Sequence, residues 1–305
     1  MTDPLAAGDP LAERRFAYAR AAAREGDFSA AAEVLEQALE RAPDWAAAWF
    51  ALGEVREKLS DIDAAADAFR AALRCDPTDA QGAGARLALV DGGDPPPALP
   101  PAYVARLFDQ YAPRFEAHLT KALGYRAPAQ IVEALAEAAP ARRFARALDL
   151  GCGAGLMGET LRARVGHLTG IDLSPGMIQK ARQRAVYDAL ILGEAAAVLT
   201  RLPQAAFDLV LAADTLVYIG DLEPLFAAIA SVLAADGLFA FSVETCEGDG
   251  YRLEPTIRFA HARRYVEATA RGAGLRLLLV REASARREAG RDAPGLICIA
   301  EPAGP

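Results

Sequence analysis

A chain of 305 residues that is 53% hydrophobic and 24% charged has enough apolar sequence for two compact cores. Its formal net charge of −8 is uneven, because residues 1–91 hold 10 basic and 17 acidic residues, whereas residues 92–305 hold 23 and 24. Phosphate recognition needs clustered Lys and Arg, so this balance argues against a nucleic-acid substrate and favours basic or small neutral partners.

The first 91 residues repeat with a period of 34. The second copy consists of Trp49, Leu52, Gly53, Ala65, Phe69, Ala72 and Pro77, and one period earlier stand Arg15, Tyr18, Ala19, Ala31, Leu35, Ala38 and Pro43. This segment resembles tetratricopeptide repeats, in which small residues let paired helices approach and a proline follows each helix pair. With a third unit from about Ala80 to Val90, we predict an all-α repeat domain over residues 1–91. Each repeat buries a face on a neighbour, so this domain is expected to pack on the other domain, a second copy or a protein partner.

Residues 92–101 are rich in glycine and proline and predict an extended linker before a second domain over residues 102–305. The segment directly after the linker predicts a helix. Its residues Tyr111 and Phe115 are four apart, on one helical face if Pro113 does not break it.

The strongest functional signal is the run from Leu148 to Gly155, Leu-Asp-Leu-Gly-Cys-Gly-Ala-Gly, which ends a short apolar strand. Its glycines let the backbone turn tightly and approach a ligand. A second strand ends on Asp172, where doubly wound folds place an acid on the ribose of a nucleotide. These two signals predict a nucleotide-cofactor site.

Gly153, Gly155 and Gly158 also satisfy the G-x-G-x-x-G pattern of dinucleotide binding. However, Gly151 and Cys152 intervene after the strand, and Asp149 occupies a position where dinucleotide binders keep an apolar residue. A carboxylate there suits the ammonium and sulfonium of S-adenosylmethionine better than a pyrophosphate. The motif resembles that of class I S-adenosylmethionine-dependent methyltransferases, which makes a nicotinamide-dependent oxidoreductase the weaker alternative.

The order of predicted elements agrees with the Rossmann-like α/β fold of that family: a seven-stranded, mostly parallel sheet with helices on both faces and an antiparallel hairpin at its edge. The predicted strands are 146–151, 167–172, 189–193, 207–213, 237–244, 276–282 and 294–300. The predicted helices are 127–139, 154–164, 175–184, 222–234 and 263–273.

The resemblance also implies roles for the cofactor-binding residues, which lie at the carboxyl ends of the strands. Asp149 and the loop of Gly151, Cys152, Gly153 and Gly155 are expected at the methionine part, Asp172 at the ribose, Leu173 and Met177 at the adenine face, Gly193, Glu194 and Ala195 at the adenine edge, and Ala213 and Asp214 at the sulfonium. Glu194 departs from the family, which usually has aspartate there. The product expected from this cofactor is S-adenosylhomocysteine.

The acceptor side is expected to involve Tyr218, next to the methyl group, and the segment 244–261, which the glycines and mixed charges predict to be a loop. Tyr251, Arg258 and His261 are the substrate candidates of that segment, with His261 or Asp214 as base and Arg258 as an anchor for an acidic group. By resemblance, the helix carrying Tyr111 and Phe115 is a lid over the cofactor. Structural alternatives stay open: His261 could cap the following helix, Arg258 could be a solvated charge, Asp214 could cap a turn and Tyr218 could simply pack.

As a whole the chain resembles methyltransferases that carry N-terminal tetratricopeptide repeats. A small-molecule oxygen or nitrogen acceptor is the first expectation, and a protein acceptor delivered by the repeats is the second. In a third reading, the repeats are a binding module and the cofactor domain is regulatory.

Four cysteines lie far apart in the sequence, and with three histidines they offer no metal-ligand spacing. No apolar run reaches the length of a membrane span, and the first ten residues lack a basic apolar signal. We therefore expect no metal and no membrane association, and a cytoplasmic location.

Overall fold

The computed structural model describes residues 7–112, 125–285, 287–288 and 291–304. The chain divides between Tyr103 and Val104 into two compact units. None of the helices among the described residues combines the length and the apolar character that a membrane span requires.

The first unit is helical, as the repeat predicts. Its helices are α1 (Pro10–Glu25), α2 (Phe28–Leu39), α3 (Ala46–Lys58), α4 (Ile62–Cys75) and α5 (Ala83–Asp91). Asp9 caps α1 by accepting from the backbone N–H groups of Leu11 and Ala12, and Gly26 ends that helix with a φ of 86°.

Small residues bring the paired helices together. A Cβ on Gly53 would lie 2.5 Å from the ring of Phe69, so α3 and α4 approach at a distance that only glycine allows. The repeat positions Ala19, Ala31 and Ala38 are buried. Not every repeat position is buried, however: Tyr18 is 63% exposed.

The second unit begins within α6 (Pro101–Tyr111) and is built around one sheet. Its further helices are α7 (Ala127–Ala138), α8 (Leu156–Leu161), α9 (Pro175–Arg184), α10 (Ala195–Leu199), α11 (Glu223–Val232) and α12 (Arg263–Gly272). Its strands are β1 (Phe144–Leu150), β2 (Val165–Asp172), β3 (Ala189–Leu192), β4 (Phe207–Ala212), β5 (Leu233–Cys246), β6 (Tyr251–Glu254), β7 (Arg258–Ala262), β8 (Leu275–Ala283), β9 (Arg287–Glu288), β10 (Arg291–Asp292) and β11 (Gly295–Pro302).

The main path of the sheet runs β3-β2-β1-β4-β5-β11-β8. The pairs from β3 to β5 are parallel, and β11 pairs antiparallel with both β5 and β8. This confirms the predicted mostly parallel sheet with its antiparallel edge, although β6 and β7 extend the seven strands of the main path to a nine-stranded sheet.

Alternation along the strands buries both faces of the sheet. On β4, Val210 and Ala212 face one apolar cluster, whereas Leu209 and Leu211 face the other. Because β1, β2, β4 and β5 are parallel, their carboxyl ends meet at one edge, where ligands of open α/β sheets bind.

The prediction of a loop over residues 244–261 is wrong. β5 extends to Cys246, and the segment then forms the antiparallel pair β6 and β7, with β7 also parallel to the end of β5. All five residues of β7 are buried. The mixed polarity of β7 is not typical of a buried strand. The strand is stable because Arg258 and His261 have polar partners inside the unit.

Candidate functional site

The loop after β1 has the backbone that its glycines predict. Gly151, Gly153 and Gly155 have φ angles of 66°, 52° and 92°. A Cβ on Gly151 would lie 2.4 Å from Oγ1 of Thr215, so this glycine is also required by close approach. The N–H of Cys152 donates to the carbonyl of Ile171 at 2.9 Å, which joins the loop to β2.

Asp149 lies beneath this loop and is 1% exposed. The hydroxyl of Tyr187 donates to its Oδ2 at 2.6 Å, while Oδ1 is buried and has no partner among the described residues. Burial raises the pKa of Asp149 to about 7, although the hydrogen bond from Tyr187 acts in the opposite direction. An unpartnered buried carboxylate oxygen fits a ligand that donates from a cation.

Asp172 ends β2, as expected, and each of its oxygens already accepts a backbone hydrogen bond. Gly153 donates to Oδ2 and Ser174 donates to Oδ1, both at 2.8 Å. Burial raises the pKa of Asp172. Since each carboxylate oxygen has two lone pairs, the carboxylate retains acceptor capacity for a ribose hydroxyl pair.

The predicted adenine residues lie around the same edge. Met177 is fully buried and packs with Ala112, Ala154, Phe108 and Tyr111, while Leu173 is half-buried. Glu194 caps α10, because its two oxygens accept from the N–H groups of Ala196 and Ala197. That side chain is engaged by the helix, which leaves the adjacent Gly193 and Ala195 backbone as the predicted adenine contact.

Helix α6 is attached to the Asp172 loop through Asp109, which the sequence analysis did not select. Its Oδ1 accepts from Oγ of Ser174 at 2.5 Å and from the N–H of Gly176 at 2.9 Å. Tyr111, on the same helix, packs in the cluster with Met177. The predicted lid residue Phe115 lies outside the described residues.

Asp214, Tyr218, Arg258 and Glu244 form a buried polar cluster beyond the ends of β4 and β5. The guanidinium of Arg258 donates from Nε to Glu244 at 2.7 Å, from Nη1 to Tyr218 Oη at 2.9 Å and from Nη2 to Asp214 at 2.5 Å. Burial alone lowers the pKa of Arg258, but the charges of Asp214 and Glu244 outweigh this effect, and the pKa is raised. Arg258 is therefore a permanent buried cation.

This geometry corrects two expectations for Arg258. It is neither a solvated loop charge, since it is 8% exposed, nor a free anchor for an acidic group, since all three nitrogens have partners. It also holds Asp214, whose φ is 57° and whose N–H donates to Oγ of Ser242 at 2.8 Å. Ala213, the residue before Asp214, is 9% exposed.

His261 and Tyr251 point into an aromatic cluster rather than a substrate loop. His261 is fully buried, its Nε2–H donates to the carbonyl of Ile219 at 2.8 Å, and its ring stacks on Tyr265. Burial lowers the pKa of His261 to about 4. Tyr251 packs edge-on against Phe259. This environment favours a structural role for His261 over the predicted role of base. The His261 side chain does not cap α12, which was the structural alternative.

Sequence reasoning missed Tyr187, Asp109 and Glu244 as parts of the site. Glu244 had a usable signal, because an acid at the carboxyl end of a central parallel strand faces the ligand edge. Tyr187 and Asp109 had none, since their partners are 38 and 65 residues away in the chain. In the described ranges, His, Cys, Asp and Glu form no group of three that could hold a metal ion.

Comparison with known proteins identifies both parts of the chain. Residues 148–241 match the family model of a methyltransferase domain, and residues 16–80 match that of a tetratricopeptide repeat. A malonyl-(acyl-carrier protein) O-methyltransferase of Enterobacter lignolyticus is 32% identical over 139 residues, which are 46% of this chain and 52% of that protein. The chain thus spans about half the length of the curated relatives it matches.

Solved structures show the same fold at low sequence identity. A 1,6-didemethyltoxoflavin N1-methyltransferase of Burkholderia thailandensis, solved with S-adenosylhomocysteine, is 20% identical with a TM-score of 0.53, covering 69% of this chain and 93% of its own. The cyclase SpnF is 19% identical with a TM-score of 0.56, covering 68% and 99%. The two family matches show that the chain carries a methyltransferase domain after N-terminal tetratricopeptide repeats.

Proposed function

We propose that this protein transfers a methyl group from S-adenosylmethionine to an oxygen or nitrogen atom of a small molecule. The observation that carries the proposal is the buried, unpartnered Oδ1 of Asp149 beneath the glycine loop. A cationic amino-acid group satisfies that oxygen, whereas a pyrophosphate would add negative charge beside Asp149 and Asp172.

The proposed contacts follow from the two carboxylates and the glycine turn of the site. Asp149 accepts from the ammonium of the cofactor, the backbone turn at Gly151 and Gly153 lies against its amino-acid part, and Asp172 accepts from the ribose hydroxyls. When bound, S-adenosylmethionine supplies a methyl group on a good leaving group. The protein then has to hold the acceptor in line and exclude water.

Asp214 and Tyr218 are the acceptor-side residues of this proposal. Arg258 holds both side chains in place, because its Nη2 donates to Asp214 and its Nη1 donates to Tyr218. Asp214, held by Arg258, can orient a hydroxyl or a neutral amine and receive its proton as the new bond to carbon forms. Bound S-adenosylmethionine would supply the methyl carbon, and the electron pair of its bond to sulfur would leave with the sulfur.

The charge of this cluster favours a neutral or cationic acceptor. Two carboxylates face one guanidinium, and each of its three nitrogens already donates to a partner. Several curated relatives are named malonyl-(acyl-carrier protein) O-methyltransferases. For this chain we propose an alcohol or amine instead, because a carboxylate would find no free cation in the cluster.

The tetratricopeptide match supports a second candidate, in which the repeats bind a protein that is itself the acceptor or a regulator. Such repeats pair helices into surfaces that bind proteins or a second copy of the chain. The repeat unit carries most of the net negative charge of the chain, which suits a basic partner.

Calorimetric titration of the full chain with S-adenosylhomocysteine and NAD tests the cofactor. We expect saturable binding of the first only, lost in Asp172→Ala. Asp208→Ala is the matched control, since Asp208 also accepts two backbone N–H groups but lies near the start of β4. Binding of NAD alone, or no binding, would contradict the proposal.

A second assay measures release of S-adenosylhomocysteine with matched panels of alcohols, amines and carboxylic acids. Turnover restricted to alcohols or amines supports the proposed acceptor class. Turnover with acids alone would contradict it, and turnover only with added protein would favour the second candidate.

A further inference from the structure

Tyr187 lies after α9 and reaches back across the sheet to the carboxylate beneath the glycine loop. Its hydroxyl donates to Oδ2 of Asp149 at 2.6 Å. It therefore occupies one oxygen of a carboxylate whose other oxygen has no partner in the described part of the chain.

Two glycines form the slot that holds the Tyr187 ring. A Cβ on Gly158 would lie 2.6 Å from both Cζ and the hydroxyl oxygen, and one on Gly170 would lie 3.0 Å from Cδ1. Gly158 has no positive φ, so its role here is space rather than backbone freedom. The slot fixes the ring in the one place from which its hydroxyl meets Asp149.

Resting on the proposed cofactor, we propose that Tyr187 is a positioning residue. It anchors Oδ2 of Asp149 so that Oδ1 is held, as an anion, for the ammonium of S-adenosylmethionine. The proposal follows from the asymmetry of the two oxygens, because a carboxylate that was purely structural would be expected to pair both of them when buried.

Burial and the charge of Asp172 disfavour the charge of Asp149, which makes the donor from Tyr187 important. The titratable groups facing it are Tyr187, Asp172 on β2, Cys152 in the loop and Tyr125 ahead of α7. None of these is a cation, and burial raises the pKa of Asp149 to about 7. Below that pH the carboxyl is protonated and cannot pair with an ammonium. Removing the Tyr187 donor shifts this limit to higher pH.

The test compares wild type with Tyr187→Phe, which keeps the ring in its slot and removes only the hydroxyl. Dissociation constants are measured from pH 6 to 9 for S-adenosylhomocysteine and for 5′-methylthioadenosine, which lacks the amino-acid part. The ratio of variant to wild type is compared at each pH, because ionisation of the ligand itself cancels in that ratio.

We expect Tyr187→Phe to weaken S-adenosylhomocysteine binding on the order of tenfold near pH 7, as the loss of a hydrogen bond to a charged group implies, and less at pH 9. Binding of 5′-methylthioadenosine should stay within about twofold of wild type. In an Asp149→Asn background the effect of Tyr187→Phe should shrink, because the hydroxyl acts through that carboxylate.

Equal weakening of both ligands at every pH would overturn the positioning role while leaving the proposed function intact. Failure of wild type to bind either ligand would instead contradict the proposed function. If Tyr187→Phe does not fold, Gly158→Ala displaces the same hydroxyl and should give the same ligand-selective loss. Equal weakening of both ligands in that variant would also overturn the proposal.

Discussion

Replacing Arg258 by Met is the most demanding test of the buried cluster. The change removes the guanidinium that pairs with Glu244 and Asp214, whose side chains are only 12% and 16% exposed. Breaking a buried ion pair by removing one partner costs about 3–5 kcal/mol, since the remaining charge loses the attraction that offset its desolvation. In a unit of roughly 200 residues each kcal/mol lowers Tm by about 2–4 °C, so the expected loss is about 6–20 °C.

Thermal unfolding followed by circular dichroism measures this loss. Arg252→Met is the matched control, because Arg252 pairs with Glu254 within β6, the side chain of Arg252 is 62% exposed, and exposed pairs contribute about 0–1 kcal/mol. Adding Glu244→Gln and Asp214→Asn to Arg258→Met should recover part of the stability, because the two carboxylate charges that Arg258 balanced are then gone as well. A Tm for Arg258→Met equal to that of Arg252→Met would refute the reasoning.

Two further predictions concern the cofactor edge. Gly151→Ala should lower Tm in thermal unfolding more than Gly248→Ala does, and it should abolish the binding of S-adenosylhomocysteine in a titration. Both glycines have positive φ, but only a Cβ at Gly151 would clash, with Thr215. Equal losses would show that φ alone governs both sites. Asp109→Ala should speed hydrogen exchange of α6 and of the amides around Ser174 by about tenfold or more, since a charged acceptor is lost. Unchanged exchange would mean that packing alone holds α6.

The strands and their order followed from the sequence because burial on both sheet faces leaves a direct pattern. Continuous apolar runs such as Leu209–Ala212 and the acid-ended strand at Asp172 mark parallel strands without reference to the rest of the chain. The one large error was β6 and β7. A strand such as β7, with Arg258 and His261 inside it, is stable only when other elements supply partners for those polar groups.

The site divides in the same way. The sequence by itself determined the glycine turn, because positive φ and close approach are properties of single residues, and it determined the two acids at adjacent strand ends, because parallel strands bring those ends together. Only the tertiary structure decided which groups those acids meet. Tyr187 on Asp149 and Arg258 on Asp214 are contacts across 38 and 44 residues, and no local preference specifies a hydrogen bond at that separation.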